Sequence, residues 1–292
     1  MIRIVMLGRL GNNLFQYALG RVLAVKHGVP LAMDGSWFNK AGWGQVECLK
    51  QLPGPAAGTV KVVRRCSLGA RMLLKSTGKH YWEYRGVKML RENERDQSFD
   101  SSFLEAPAEC MLFGYFQTPL YFTGFESQLR EELSTYNLGL EKGRETLSAR
   151  LRLPGSVAVH VRRTDYIDNI SLELCGMDYY RHAIQRIRDN INGASFFIFS
   201  DDPEWCRMQF KESDMEVVMH NKNQSALTDL HMMSLASHHI IANSSYSWWA
   251  AWLGEKPGQK VLMPSRWFGL VKAPVEEKRL PHWEIMESVR TV

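Results

Sequence analysis

The sequence predicts an α/β protein built as two doubly wound halves, at about residues 1–145 and 150–292, each around a mainly parallel sheet and with a cleft between them. Three observations predict it. The chain opens with a strand, a glycine turn and a helix in immediate succession. After residue 150, short apolar runs alternate with helical stretches at βα spacing. The apolar run Val157-Ala158-Val159 ends in His160-Val161-Arg162-Arg163-Thr164-Asp165-Tyr166, which puts two fixed cations at the mouth of a buried strand. In an open α/β sheet that edge is where ligands bind.

The elements follow in order. Residues 2–7 (Ile2-Arg3-Ile4-Val5-Met6-Leu7) read as a strand and Gly8 to Asn12 as a turn. Residues about 14–27 read as a helix with Leu14, Ala18, Val22 and Leu23 on one face. Gly28-Val29-Pro30 stops that helix, and Leu31-Ala32-Met33 resembles a second strand. Residues 40–60 are rich in Gly and Pro and read as loop. From 60 to 91 the chain is strongly basic, with Lys61, Arg64, Arg65, Arg71, Lys75, Lys79, Arg85, Lys88 and Arg91 against Glu83. That pattern fits a solvated helical face, or a helix docking on anionic lipid. A helix is expected near 125–135 and a linker over 138–150. Thereafter strands are expected at 157–161, 196–199, 216–219, 239–242 and 260–263. Helices are expected from Asp178, from Pro203, over 227–236 and over 247–253.

Composition narrows the function classes. Of the 292 residues 45% are hydrophobic and 23% charged, values of a folded globular chain. A net charge of +5 suits a protein that handles small polyanions and is too weak to argue for nucleic acid. The five cysteines (Cys48, Cys66, Cys110, Cys175 and Cys206) never form a Cys-x-x-Cys pair, which argues against a zinc site or disulfide framework and for a reducing compartment. With no basic-then-apolar leader and no run of about 18 apolar residues, the expectation is a cytoplasmic protein.

Four clusters carry chemistry. Gly8-Arg9-Leu10-Gly11-Asn12-Asn13 combines a tight turn with a helix start, where backbone approaches a ligand closely and negative charge is favoured; a plain strand–helix turn reads the same way. In His160–Asp165 the arginine pair suits phosphate oxygens, so the first ligand expected is a pyrophosphate. The competing reading is an internal ion pair that takes Asp165 and one arginine and leaves the other free. At Phe199-Ser200-Asp201-Asp202-Pro203 an aspartate can accept from the donor pair of guanine, or cap the helix that Pro203 opens. Asn243-Ser244-Ser245-Tyr246-Ser247-Trp248-Trp249 places small hydroxyls at a helix start suited to phosphate, with tryptophans that read as core or as a sugar platform. The chain contains no Asp-x-Asp, so if a pyrophosphate is the leaving group, the arginines and helix ends must neutralise its charge.

In this order the clusters resemble the bacterial α-1,2-fucosyltransferases of glycosyltransferase family 11. Gly8 to Ala18 is similar to that family's Gly-Gly-Leu-Gly-Asn-Gln opening and Phe-Gln-Tyr-Ala helix, with Arg9 in place of a glycine. Gly114–Gln117, His160–Asp165, Ser200–Asp202 and His238–Trp249 are similar to its later blocks; nothing family-specific stands between 38 and 105. The resemblance implies a GT-B fold of two Rossmann-like domains facing across a cleft. Residues 1–145 would be the acceptor side and 150–292 the GDP-fucose-binding domain. It implies an inverting, metal-independent transfer from GDP-β-L-fucose to the 2-hydroxyl of a β-galactoside, with no cofactor. Arg162 and Arg163 would hold the pyrophosphate and the charge on departing GDP. His160 with Asp201 or Asp202 would contact the guanosine, and Ser244 or Ser245 the phosphates. Asn12 and its neighbour Arg9, beside Gly11, would approach the fucose or the diphosphate. The general base is open between Asp165 and Asp34.

Two other classes compete. One is a non-catalytic protein that binds nucleotide sugar or glycan through the same pocket. The other is a nicotinamide-dependent oxidoreductase, disfavoured because the first glycine turn lacks Gly-x-Gly-x-x-Gly spacing.

Overall fold

A computed structural model describes residues 1–35, 60–63, 86–93, 96–135, 138–167, 175–219, 226–269 and 274–288, with backbone alone at 60–63. The chain divides into two compact units, Met1–Leu133 and Ser134–Val292.

The first unit carries a five-stranded parallel sheet of β1 (Ile2–Val5), β2 (Leu31–Asp34), β3 (Val60–Val63), β4 (Lys88–Arg91) and β5 (Cys110–Phe113), in the order β3-β2-β1-β5-β4. Helix α1 (Leu10–Lys26) links β1 to β2, and α2 (Glu126–Glu132) lies near the end of the unit. Ile2, Ile4 and Val5 have no exposed surface, and β2 is buried throughout, as expected of strands covered on both faces. The chain runs outward from β1 through β2 to β3, and then adds β4 and β5 on the other side. The direction of winding therefore reverses between β1 and β5.

Helix α1 begins at Leu10 rather than near residue 14, so Gly11, Asn12 and Asn13 form its first turn. Leu10 is buried and anchors that turn, while the Asn13 side-chain amide donates back to the Leu7 carbonyl at 2.9 Å. The basic stretch expected as a helical face contains strands at both ends; residues 64–85 lie outside the described residues. Val60, Val62 and Val63 are β-branched and favour a strand. β4 is an edge strand whose Lys88 and Arg91 are exposed, a common way to keep an edge from pairing.

The second unit carries a six-stranded parallel sheet. Its strands are β6 (Ser156–Val161), β7 (Ser195–Ser200), β8 (Met215–Val217), β9 (His238–Ile240), β10 (Val261–Pro264) and β11 (Glu284–Met286), in the order β11-β10-β9-β6-β7-β8. Here the reversal falls between β6 and β9. Its helices are α3 (Glu145–Leu151), α4 (Met177–Arg188), α5 (Pro203–Gln209), α6 (Ala226–Leu235) and α7 (Ser245–Leu253). Part of the expected 138–150 linker is therefore helix: Ser148 and Leu151 are buried, but two turns are too short for a periodic signal.

Helix α4 buries Tyr179, Tyr180, Ala183, Ile184 and Ile187 against β6 and β7, together with Val157, Val159, Phe196 and Ile198. The tryptophans of α7 belong to the core: Trp248, Trp249 and Trp252 have no exposed surface, and Trp248 stacks on Trp252 with centroids 6.3 Å apart. No helix among the described residues is long and apolar enough to cross a membrane.

His239 lies in the middle of this unit, fully enclosed, with Nε2 2.9 Å from the Met233 carbonyl and Nδ1 3.1 Å from the Gln259 amide. Burial drives its pKa down to about 3 from the ordinary 6.5. The unfolded chain takes up a proton there below about pH 6.5 and the folded chain does not. Stability present at neutral pH is therefore lost on acidification, by up to about 1.4 kcal/mol per pH unit between the two values. Burial lowers the values of His231 and His238 as well, in the same direction. The unfolding midpoint is expected to fall steadily from pH 6.5 to pH 4; a flat profile by near-ultraviolet circular dichroism would contradict this.

Candidate active site

The carboxyl ends of β6 and β9 flank the reversal point of the second sheet, where the loops leave in opposite directions and open a crevice. Three of the four sequence clusters meet there. His160 is the penultimate residue of β6, buried, with its ring 5.7 Å from that of Tyr246 on the first turn of α7. Two tyrosines brace the strands: the Tyr180 hydroxyl donates to the His160 carbonyl at 3.2 Å, and the Tyr166 hydroxyl donates to the Asn243 carbonyl at 3.1 Å. Burial raises the Tyr166 phenol well above its usual value, only partly countered by Arg162, so it stays a neutral donor.

Both arginines have carboxylate partners, and the expected arrangement with one arginine free does not hold. Arg162 lies between Asp165 at 2.6 Å and Asp201 at 2.9 Å. Arg163 donates from Nε to Asp202 at 3.2 Å and stacks on the Trp205 ring, its guanidinium carbon 3.6 Å from the centroid. The reason is the adjacent strand: β7 runs in register with β6, Val161 opposite Ser200, so the aspartates that follow β7 emerge beside the arginines that follow β6. The two cations nevertheless differ. Arg162 is clamped by two carboxylates, whereas Arg163 meets its carboxylate through Nε alone.

The two aspartates expected to read guanosine are taken up by the protein. Asp201 Oδ1 accepts the Arg163 backbone N–H at 2.9 Å, and Oδ2 accepts the Thr164 hydroxyl at 2.6 Å and the Thr164 backbone N–H at 3.3 Å. Burial pushes the Asp201 carboxyl upward, but the Thr164 hydroxyl, Arg162 and the Arg163 N–H outweigh it and hold the group below the ordinary carboxylate range. Asp202 caps α5 by accepting from the Trp205 N–H at 3.2 Å, as the Asp-Pro order predicts. Ser244 precedes α7 in extended conformation but makes no side-chain capping bond, and Ser245 is the first helical residue.

A cavity of about 400 Å³ opens at the carboxyl end of β8, lined by Gly143, Arg144, Glu145, Glu216, Val218 and Met219 among others. It lies two strands from β6, roughly 10 Å along the same sheet edge. No three His, Cys, Asp or Glu side chains among the described residues converge on a common metal position.

Gly11 and Asn12 are in the other unit, at the reversal point between β1 and β5. Two sequence blocks meet there: Gln117, from the segment after β5, donates from Nε2 to Asn12 Oδ1 at 3.0 Å. Gln16 reaches from α1 to the Gly114 carbonyl at 2.9 Å and accepts from the Leu7 N–H at 3.1 Å. Asp34 ends β2, buried, and its carbonyl accepts from the Met6 N–H at 2.9 Å. Sequence reasoning missed Thr164, Trp205, Gln117 and Glu92 as site-shaping residues. Thr164 and Gln117 fall inside blocks the sequence singles out, without a role of their own, and Trp205 is an aromatic on the first turn after the Asp202-Pro203 cap; Glu92 carries no signal.

The sequence pattern described as glycosyl transferase family 11 matches residues 80–286, well over half of the chain. The chain belongs to glycosyl transferase family 11. An Escherichia coli protein named alpha-1,2-colitosyltransferase is 29% identical over 269 residues, covering 89% of this chain and 90% of that protein. Galactoside alpha-(1,2)-fucosyltransferase 1 of Plecturocebus brunneus is 27% identical over 146 residues, 46% of this chain and 40% of that protein. Among solved structures, the NodZ alpha-1,6-fucosyltransferase soaked with GDP-fucose aligns with a TM-score of 0.52 at 15% identity, over 86% of this chain and 92% of that one. The Bradyrhizobium NodZ structure aligns at 0.51 with 12% identity, over 85% and 92%. At such identities these likenesses show the fold, which is of GT-B type. This family 11 chain is a glycosyltransferase.

The unequal pairing of the arginines has a measurable consequence. Arg162→Ala leaves Asp165 and Asp201 facing each other without their cation and is expected to cost about 2–4 kcal/mol. Arg163→Ala leaves Asp202 its capping bond to Trp205 and is expected to cost about 1 kcal/mol or less. Urea unfolding of the two variants measures the difference, and equal losses would refute it.

Proposed function

We propose that this glycosyltransferase is an inverting, metal-independent α-1,2-fucosyltransferase that moves L-fucose from GDP-β-L-fucose to the 2-hydroxyl of a terminal β-galactoside. The observation that carries the reading is Arg163, stacked on Trp205 and paired with its carboxylate through Nε alone at the reversal point of the second sheet. The relatives named for α-1,2 transfer support the linkage. In this proposal the second unit takes the donor and the first the acceptor.

The diphosphate lies against Arg163 and the start of α7, where Ser244 and Ser245 approach its oxygens. The base extends along the sheet edge toward the cavity at β8, a span that suits a nucleoside diphosphate. Asp201 and Asp202 act on the arginines they hold, and His160 stands under the nucleoside. The acceptor oxygen attacks the sugar C1 while the C1–O bond to the β-phosphate breaks and its electron pair leaves with GDP. Arg163 neutralises that developing charge, with Arg162 behind it. Asp165 is the most open carboxylate of the cluster, 40% exposed in its side chain, and is the proposed acceptor of the hydroxyl proton. Asn12, on the first unit, is the proposed contact to the sugar. Because the E. coli relative is named for colitose, the corresponding colitose donor is the second donor to be tried.

Incubation with GDP-fucose and lactose in the presence of EDTA is expected to yield a product whose NMR spectrum shows fucose α-linked to O2 of galactose. Arg163→Ala is expected to lower kcat by about 100-fold or more, the usual cost of losing one charged transition-state contact. Loss of activity with EDTA and its return with a divalent ion would sink the metal-independent part. GDP binding by calorimetry with no turnover on any galactoside, from either donor, would favour a non-catalytic binding protein.

A further inference from the structure

The loop after β5 is shaped by a residue far from it in sequence. Glu92, directly after β4 and buried, accepts the Tyr115 N–H on Oε2 at 2.6 Å and the Phe116 N–H on Oε1 at 3.0 Å. Its own N–H donates to the Phe113 carbonyl at 2.9 Å. The carboxylate thus takes two successive amides that strand pairing would otherwise satisfy. Gly114 permits this, because a Cβ there would come within 2.4 Å of the Glu92 Cβ. Phe116 takes φ +53, a left-handed conformation that costs a non-glycine residue about 1 kcal/mol or more. The surroundings compel it: the Phe116 ring is fully buried, and its carbonyl accepts the Thr118 N–H at 2.9 Å. From α1, the Gln16 bond to the Gly114 carbonyl fixes the loop's other side.

This framework aims Gln117 at Asn12. Gln117 is 7% exposed, and its Nε2 donates to Asn12 Oδ1 at 3.0 Å. Asn12 is half-buried, beside the exposed Gly8 and Arg9 at the rim of the sheet. Gly8 has φ +68, and a Cβ there would stand 2.2 Å from Asn12 Nδ2, so the amide nitrogen lies directly over the bare Cα. The Asn12 carboxamide is therefore held through its oxygen by Gln117, with its nitrogen in the space that a side chain at position 8 would fill.

We propose that Gln117 is a positioning residue which, itself aimed by Glu92, fixes the Asn12 carboxamide so that its Nδ2 group donates to a neutral oxygen of the substrate sugar at the rim of the first sheet. This rests on the transferase reading for the identity of the ligand, but not for the positioning itself. A side-chain amide free to rotate presents donor or acceptor alike; one locked before binding has already lost that freedom, which strengthens its contact with a sugar oxygen.

Gln117→Met keeps the bulk and removes the donor. It is expected to lower kcat/KM for the galactoside by about 10-fold while the Kd for GDP, bound by the other unit in the proposal above, changes less than about 2-fold. Asn12→Ala is expected to lose at least as much, and the Asn12→Ala, Gln117→Met double variant no more than Asn12→Ala alone, because Gln117 acts only through Asn12. Multiplying losses in the double variant would overturn the proposal, as would wild-type kinetics in Gln117→Met. A crystal structure of Gln117→Met is the arm independent of turnover: the Asn12 side chain is expected to leave its place over Gly8, and an unmoved Asn12 overturns the inference. If Gln117→Met fails to fold, Gln117→Leu likewise removes the donor without offering a new acceptor, and the same outcomes apply. A wild-type protein silent on every donor and acceptor removes the transferase reading, while the crystallographic arm still decides the positioning.

Discussion

The Asp201 carboxylate is the contact on which the rest of the second unit's site depends. It follows β7, yet its oxygens accept from the Arg163 and Thr164 N–H groups, the Thr164 hydroxyl and the Arg162 guanidinium, all on the turn that follows β6. A turn leaving a parallel strand has backbone donors with no ladder partner. One carboxylate satisfies two of them and at the same time orients the neighbouring cation. That dual role explains why Asp201 remains ionised despite its burial.

The two units solve the same geometrical problem with different chemistry. In each, the parallel sheet buries both faces, so only the carboxyl edge at the winding reversal can present polar groups to a ligand. The second unit arms that edge with arginines, aspartates and a helix start. The first places neutral carboxamides there, Asn12, Asn13, Gln16 and Gln117, with the buried Glu92 carboxylate bonded to backbone amides.

Much of the second unit is legible in the sequence because its central strands contain uninterrupted apolar runs, such as Val157–Val159 and Phe196–Phe199, followed by polar clusters at their carboxyl ends. Asp202 as a helix cap and the tryptophans as core are each one of two readings that local chemistry allows, and the fold decides between them. The first unit is far less legible. β4 is a charged edge strand, β5 is a four-residue run, and β3 lies in a stretch whose basic residues mask its valines. The partners of the arginines are not readable either, since register between β6 and β7 decides them and register is a tertiary property. Glu92 is hidden for the same reason: it acts on a loop more than twenty residues away, through bonds that no local pattern announces.

Helix α7 joins two parts of the second unit that differ in kind. Its first turn lines the crevice through Tyr246, while its body is a packed group of indoles in which Trp248 lies 5.2 Å from Trp249 and 5.4 Å from Trp283, centroid to centroid. Indoles this close share their electronic excitations, and their combined optical signal depends on angles between rings more than on any single environment. The protein therefore carries, within the element that borders its crevice, a built-in chromophore. A tilt of α7 too small to alter the core's packing would still change its near-ultraviolet dichroism.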